Sequence, residues 1–155
     1  MRLITWMNKI IRFVILLLLF IPSNLSSADL EGVTYDYPIV RVIDGDTVVI
    51  KAAFLPEPLK PELSVRIYGV DTPEKGFRAK CETERLLAQE ASEYTAELIS
   101  NAIRTQVVLY DWDKYGGRVL GDILIDGDSL RQLLVDNGYA REYYGGTKGS
   151  WCEDI

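Results

Sequence analysis

Downstream of residue 28 the chain alternates between two hydrophobic periods, and their order restricts the fold more than any other feature. The β-branched runs Ile39-Val40-Arg41-Val42-Ile43 and Thr47-Val48-Val49-Ile50 flank Asp44-Gly45-Asp46 and read as strand, turn, strand. Leu55-Pro56-Glu57-Pro58-Leu59-Lys60-Pro61 cannot hydrogen-bond as an interior strand, so it is expected as an exposed loop before a third strand at Ser64 to Tyr68. From Cys81 to Ala102 the period lengthens. Leu87, Ala91, Tyr94 and Leu98 recur at helical spacing among Glu and Arg residues, which predicts one long amphipathic helix. Two more strand-like runs, Gln106 to Trp112 and Val119 to Ile125, enclose Asp113-Lys114-Tyr115-Gly116-Gly117-Arg118 and end in the turn Asp126-Gly127. Ser129 then reads as the N-cap of a short helix, Leu130 to Asn137, which Gly138 would end. Three strands, a helix, two strands and a helix predict an α+β, mainly β fold. A five-stranded OB-type barrel closed by antiparallel pairing, with one long and one short helix, fits best, although other small α+β folds share the pattern.

The first 28 residues obey other rules. Arg2, Lys9 and Arg12, with no acid among them, surround the apolar run Ile10 to Ile21, and Ser26-Ser27-Ala28 offers a small-x-small cleavage site. An export signal is therefore expected over residues 1–28. The run is short for a bilayer span, so cleavage is preferred to anchoring, and membrane attachment is expected only if the signal is retained. Residues 29–155 would then work as a single domain, in the periplasm or secreted.

Loss of the signal leaves 14 basic residues against 23 acidic ones, a formal charge of −9. That excludes a globally basic nucleic-acid binder. Cys81 and Cys152, the 2 cysteines of the chain, both lie beyond the signal. An oxidising compartment makes a Cys81–Cys152 disulfide the first expectation, with two free thiols as the alternative. Their long separation and the absence of His argue against zinc. Nothing implies a stable protein partner or an oligomer, so a monomer is expected.

Polar residues concentrate at three strand ends: Asp44-Gly45-Asp46-Thr47, Arg66 with Asp71-Thr72-Pro73-Glu74, and Asp113 to Arg118. Asp46 and Asp71, if adjacent strands bring them together, would repel one another, and a hard divalent cation held by oxygen ligands, calcium or magnesium, is the usual compensation. Arg66 lies between β-branched neighbours and needs a partner if it faces inward. With Arg118 it supplies planar forks that match phosphate oxygens. A cation and two such forks stabilise the charge that builds up in phosphodiester displacement. Each segment alone also has a plain reading, as a common turn or a helix-capping acid.

In this order, Val42-Ile43-Asp44-Gly45-Asp46-Thr47-Val48, Arg66-Ile67-Tyr68-Gly69-Val70-Asp71-Thr72-Pro73-Glu74 and Asp113-Lys114-Tyr115-Gly116-Gly117-Arg118 resemble the three signatures of the staphylococcal-nuclease-like (thermonuclease) family, over residues 38 to 145. The tail from Tyr144-Gly145-Gly146 to Ser150-Trp151-Cys152 is similar to that of exported bacterial members. The resemblance implies a Ca2+-dependent hydrolase of DNA or RNA that cleaves the P–O5′ bond and leaves 3′-phosphate ends. It makes Asp46, Asp71 and the Thr72 carbonyl the metal ligands, with Asp44 a supporting acid behind them. Glu74 would orient or deprotonate water, while Arg66 and Arg118 would hold the phosphate. Lys114 and Tyr115 match positions that contact a terminal phosphate, and Tyr144 matches an aromatic that packs on a base.

Three departures qualify that implication. Gly116-Gly117 stands where the family pattern has one Gly, so Arg118 takes its role only if the loop absorbs the extra residue. The segment between Asp46 and Arg66 is longer than the pattern and holds Pro56, Pro58 and Pro61. The acidic total repels DNA at long range, although Lys75, Arg78, Lys80 and Arg85 form a basic strip after Glu74 that reads either as a border of the site or as a solvated face. Tyr110, Trp112, Tyr139 and Tyr143 read as core or rim more readily than as base platforms. The rival reading is a non-catalytic OB-fold module binding single strands or a protein. A structural domain with calcium ordering a loop is a third.

Overall fold

The computed structural model describes residues 31–59 and 61–152; the expected export signal, residues 1–28, lies outside them. The strands are β1 (Val33–Tyr35), β2 (Ile39–Asp44), β3 (Thr47–Lys51), β4 (Glu62–Ile67), β5 (Val70–Asp71), β6 (Thr105–Trp112), β7 (Arg118–Ile125), β8 (Asp128–Ser129) and β9 (Arg141–Glu142), and the helices are α1 (Glu82–Asn101) and α2 (Leu130–Asp136). The five expected strands are β2, β3, β4, β6 and β7, and both expected helices are present. Pro56 and Pro58 lie in an exposed loop between β3 and β4, as their missing donors require.

The main sheet runs in the order β1-β6-β7-β4-β3-β2, with β8 on β7. Among the five expected strands this is the OB order, yet two details differ from the all-antiparallel closure expected from pattern. The β4–β7 pairing is parallel, with Ser64 opposite Arg118 and Arg66 opposite Leu120. The path also stays open, with β1 and β2 at its ends. Both follow from the crossover: α1 carries the chain from β4 to β6, and the second arm of the β6–β7 hairpin then lies beside β4 in the same direction. Bulges in β2 and at Leu109/Asp111 of β6 coil the sheet around its core.

That core joins Val48 and Ile50 of β3, Val65 and Ile67 of β4, Val107 of β6 and Val119, Ile123 and Ile125 of β7 to Leu130 and Leu134 of α2. Asp122 ties α2 to the sheet, accepting hydrogen bonds from the Ser129 hydroxyl and the Arg131 amide. Ser129 caps α2 by accepting from the Gln132 amide at 3.3 Å, and Gly138 follows with φ of 76°, a left-handed residue that ends the helix. Cys81 is the N-cap of α1 and is bonded to Cys152, with Cα atoms 6.0 Å apart. The tail is thereby fastened to the start of the long helix. No helix among the described residues is long and apolar enough to cross a membrane.

Candidate active site

The first acidic segment is the β2–β3 turn, held from behind by α1. Thr95, fully buried, donates from its hydroxyl to the Gly45 carbonyl at 2.8 Å. A Cβ on Gly45 would lie 2.8 Å from that of Ala91 and 3.2 Å from Thr72 Cγ2, so only glycine lets the turn sit this close to the helix. Asp46 emerges buried, with its carbonyl accepting from the Ile67 amide at 2.8 Å. Thr47 is paired with Arg66 across β3–β4, and Arg66 Nη1 donates to Asp46 Oδ1 at 2.7 Å. Arg66 therefore faces inward, and its partner is the acid one residue before its cross-strand neighbour. Its Nη2 reaches the Val70 carbonyl at 3.4 Å.

The second segment is held by two short-range devices. β5 pairs with β9, Asp71 opposite Arg141, which fixes the backbone of Asp71 just ahead of buried Thr72. Glu84, in the first turn of α1 and buried, then accepts from the Glu74 amide at 3.3 Å and the Lys80 amide at 2.7 Å. The backbone of Glu74 thus hangs from a buried carboxylate that sequence reasoning did not single out. A signal existed in the spacing Cys81-x-x-Glu84, that of a capping box with sulfur in place of the usual hydroxyl, since Cys81 Sγ accepts from the Glu84 amide at 3.3 Å.

The third segment absorbs its additional glycine within the loop. The Asp113 amide donates to the Arg118 carbonyl at 3.1 Å and closes the hairpin, while Gly116 and Gly117 both take positive φ, 69° and 73°. Arg118 keeps its place at the head of β7 and donates from Nε to Asp113. Burial pushes the Asp113 carboxyl upward, but the Arg118 hydrogen bond, the Tyr115 amide and the charges of Arg118 and Arg66 outweigh that and hold it below the usual range.

These segments surround one cavity of about 480 Å³. Asp44, Asp46, Arg66, Thr72, Glu74, Lys114, Tyr115, Arg118 and Tyr144 all line it, so of the residues expected to touch metal or substrate all but Asp71 border the same space. Tyr144 rests on Gly69, which has φ of 79° and where a Cβ would lie 2.8 Å from the ring, and its hydroxyl accepts from Arg131 at 2.8 Å. Lys114 Nζ stands 5.0 Å from the Tyr115 ring centre. Trp112, 62% exposed, and Tyr143 also line the cavity, whereas Tyr139 stacks on Tyr94 at 4.3 Å against the core. The basic strip is largely matched locally: Arg78 pairs with Glu74 at 3.3 Å and with Asp44 at 3.8 Å, Arg85 pairs with Glu82, and Lys75 donates to the Ile43 carbonyl at 3.1 Å.

The acids carry the mark of a cation site. Burial raises the Asp46 carboxyl to about 6, the Arg66 charge opposing and Asp44 reinforcing that rise. Asp44 Oδ1 and Asp71 Oδ1 are buried and accept no hydrogen bond. Asp44 Oδ1, a buried carboxylate oxygen without a donor, fits a hard cation held by oxygen ligands. Asp71 Oδ1 meets Lys148 Nζ at 2.5 Å as an ion pair that lacks hydrogen-bond alignment, and the same ammonium is 3.2 Å from Glu74 Oε1. Asp71 Oδ2 accepts from Trp151 Nε1 at 3.2 Å. Among the described residues one acidic or thiol trio, Cys81, Glu84 and Cys152, brings all its ligand atoms within 4.8 Å, but the disulfide consumes both thiols.

Comparison with known sequences gives two kinds of match. The family described as Staphylococcal nuclease homologue matches residues 64–151, a span that takes in the second and third segments and leaves the Asp44-Gly45-Asp46 turn outside. The chain is 31% identical over 116 residues to endonuclease YhcR of Bacillus subtilis, covering 71% of this chain and 9% of that protein. It is 30% identical over 107 residues to a thermonuclease of Staphylococcus hyicus and 33% over 122 residues to one of Staphylococcus intermedius. Those matches cover 68% and 77% of this chain but 57% and 66% of the two thermonucleases, so the chain spans less than two thirds of each relative.

Proposed function

Because this chain belongs to the staphylococcal nuclease homologue family, we propose that it is a calcium-dependent nuclease that hydrolyses the phosphodiester bonds of DNA or RNA. One observation carries the reading: Arg66 and Arg118, on neighbouring parallel strands, line the same cavity as Asp46 and Glu74. Each guanidinium has five N–H donors. Only some of these engage Asp46 and Asp113, which leaves others for the non-bridging oxygens of a phosphate. In the transition state those oxygens gain charge, and fixed forks in a partly water-excluded cavity stabilise that charge more than they stabilise the substrate.

Glu74 is part-exposed in the cavity and accepts the proton of the attacking water. As the new P–O bond forms, the P–O5′ bond breaks, the 5′ oxygen takes a proton, and the phosphate stays on the 3′ oxygen. Calcium, held by Asp46, Asp71 and the Thr72 carbonyl with Asp44 behind them, would polarise a phosphoryl oxygen. Lys114 and Tyr115 bind a neighbouring phosphate, and Tyr144 supports a base. The signal-like residues 1–28 and the Cys81–Cys152 disulfide support export, with residues 29–155 as the working domain and a monomer as its form.

The test is hydrolysis of single-stranded DNA, duplex DNA and RNA by the purified protein in calcium, in magnesium and in chelator. Cleavage in calcium that chelator abolishes is expected. Binding of strands with no cleavage in any metal would overturn the enzyme reading in favour of a binding module.

A further inference from the structure

The C-terminal tail contributes a lysine that belongs to none of the three acidic and basic segments, yet it makes the closest approach to Asp71 of any cation described. Lys148 Nζ lies 2.5 Å from Asp71 Oδ1 and 3.2 Å from Glu74 Oε1, bridging two carboxylates that would otherwise repel. The second oxygen of Asp71 is taken by the Trp151 indole, so the tail engages both. Asp71 is buried and does not line the cavity, whereas Lys148 does.

The tail is built to keep the ammonium there. On one side Arg141, in β9, pairs with Asp71 itself; on the other Cys152 is bonded to Cys81. Between these ends Arg141 donates to the Ser150 carbonyl at 2.8 Å and its guanidinium lies 4.0 Å from the centre of the buried Trp151 ring. A cation tied this closely has a high effective concentration at its partners. The arc that carries it turns through Gly145 and Gly146, with φ of 114° and 96° and nothing within 4 Å of where a Cβ would be.

We propose that Lys148 is a tethered competitor of the divalent cation: it holds Asp71 and Glu74 in the metal-free protein, and metal binding displaces it. The tail thereby sets the metal affinity of the site and keeps two acids in position while no metal is bound. This rests on the reading of Asp46 and Asp71 as metal ligands, and the ammonium is a positioning group that takes no part in bond breaking.

Calorimetric titration of calcium into the full chain, without nucleic acid and at one pH and ionic strength, tests it. Lys148→Met is expected to bind calcium about five- to tenfold more tightly than wild type, as loss of two partly exposed ion pairs implies. Lys148→Arg, which keeps the charge, should stay close to wild type. The metal-free Tm should fall in Lys148→Met while the rise in Tm on adding calcium becomes larger, and Lys148→Gln gives the same comparison should the Met variant not fold. Unchanged or weaker calcium binding in the neutral variants, with Asp46→Asn still abolishing it, overturns the competitor and leaves the metal site standing. Calcium binding that survives Asp46→Asn and Asp71→Asn overturns the metal-site reading itself.

Discussion

Asp46 is the residue on which burial, charge and metal chemistry meet. Its carboxyl lies near 3.8 when solvated and is raised to about 6 in the fold, first by burial. A raised carboxyl contributes stability that is complete below the lower value and is lost as pH rises through the higher one. From this group the metal-free protein should therefore lose stability between about pH 4 and 6, whereas calcium, which needs the carboxylate, should bind more tightly across the same window. Thermal unfolding of wild type and Asp46→Asn without metal checks the sign: the wild type should fall relative to the variant as pH rises from 4 to 7, and parallel curves would contradict it. Glu84 invites a second substitution. Glu84→Ala would strip acceptors from the Glu74 and Lys80 amides, at a cost of about 1–3 kcal/mol for each amide left unpaired. Turnover should fall with Glu74 displaced, chiefly in kcat, and Glu84→Gln should recover part of it. Arg66 was legible as an inward-facing charge in need of a partner because it lies between β-branched residues, and it meets Asp46. Glu84 and Lys148 were not, since each acts on a residue that only the folded chain brings near it.

At the scale of elements, α1 and the tail do most to shape the site. The helix was legible from its period, and its stripe included Ala91, but the contact with the β2–β3 turn also runs through Thr95, a small polar residue that the stripe does not reveal. Gly45→Ala should accordingly cost about 1–3 kcal/mol by overpacking against Ala91, with a parallel loss of calcium affinity that calorimetry would detect. The disulfide joins residues 71 apart in sequence, so Cys81→Ala with Cys152→Ala should lower stability to urea by about 2–4 kcal/mol. An unchanged midpoint would mean that β9 and Trp151 hold the tail unaided. The longer strands could be read because β-branched and other apolar residues form runs bounded by turn residues. β5 and β9, two residues each, form no such run, and β4–β7 pairs strands far apart in sequence, a choice made by the crossover.

Over the whole molecule the balance of charge opposes the proposed substrate, and the structure narrows how that opposition is overcome. The formal charge is −6 for the full chain and −9 without residues 1–28. Arg78 and Arg85 of the basic strip are paired with nearby acids, and Lys148 is paired with Asp71 and Glu74, which leaves Arg66, Arg118 and Lys114 as the cavity cations of the proposed phosphate contacts. Two or three such contacts give a salt slope of about −0.9 per contact on duplex, so affinity should fall roughly tenfold or somewhat more between 50 and 200 mM salt. Long-range repulsion, which salt screens, works the other way and should make the measured slope shallower still. KM for a long duplex, followed at fixed calcium over that range, separates the cases. Flat dependence would remove the arginines from ground-state binding, and a loss of three powers of ten or more would require about five or six phosphate contacts, more than the proposed ones supply. An intermediate slope fits a net-acidic protein whose binding relies on a few fixed forks in one cavity and the acids that position them.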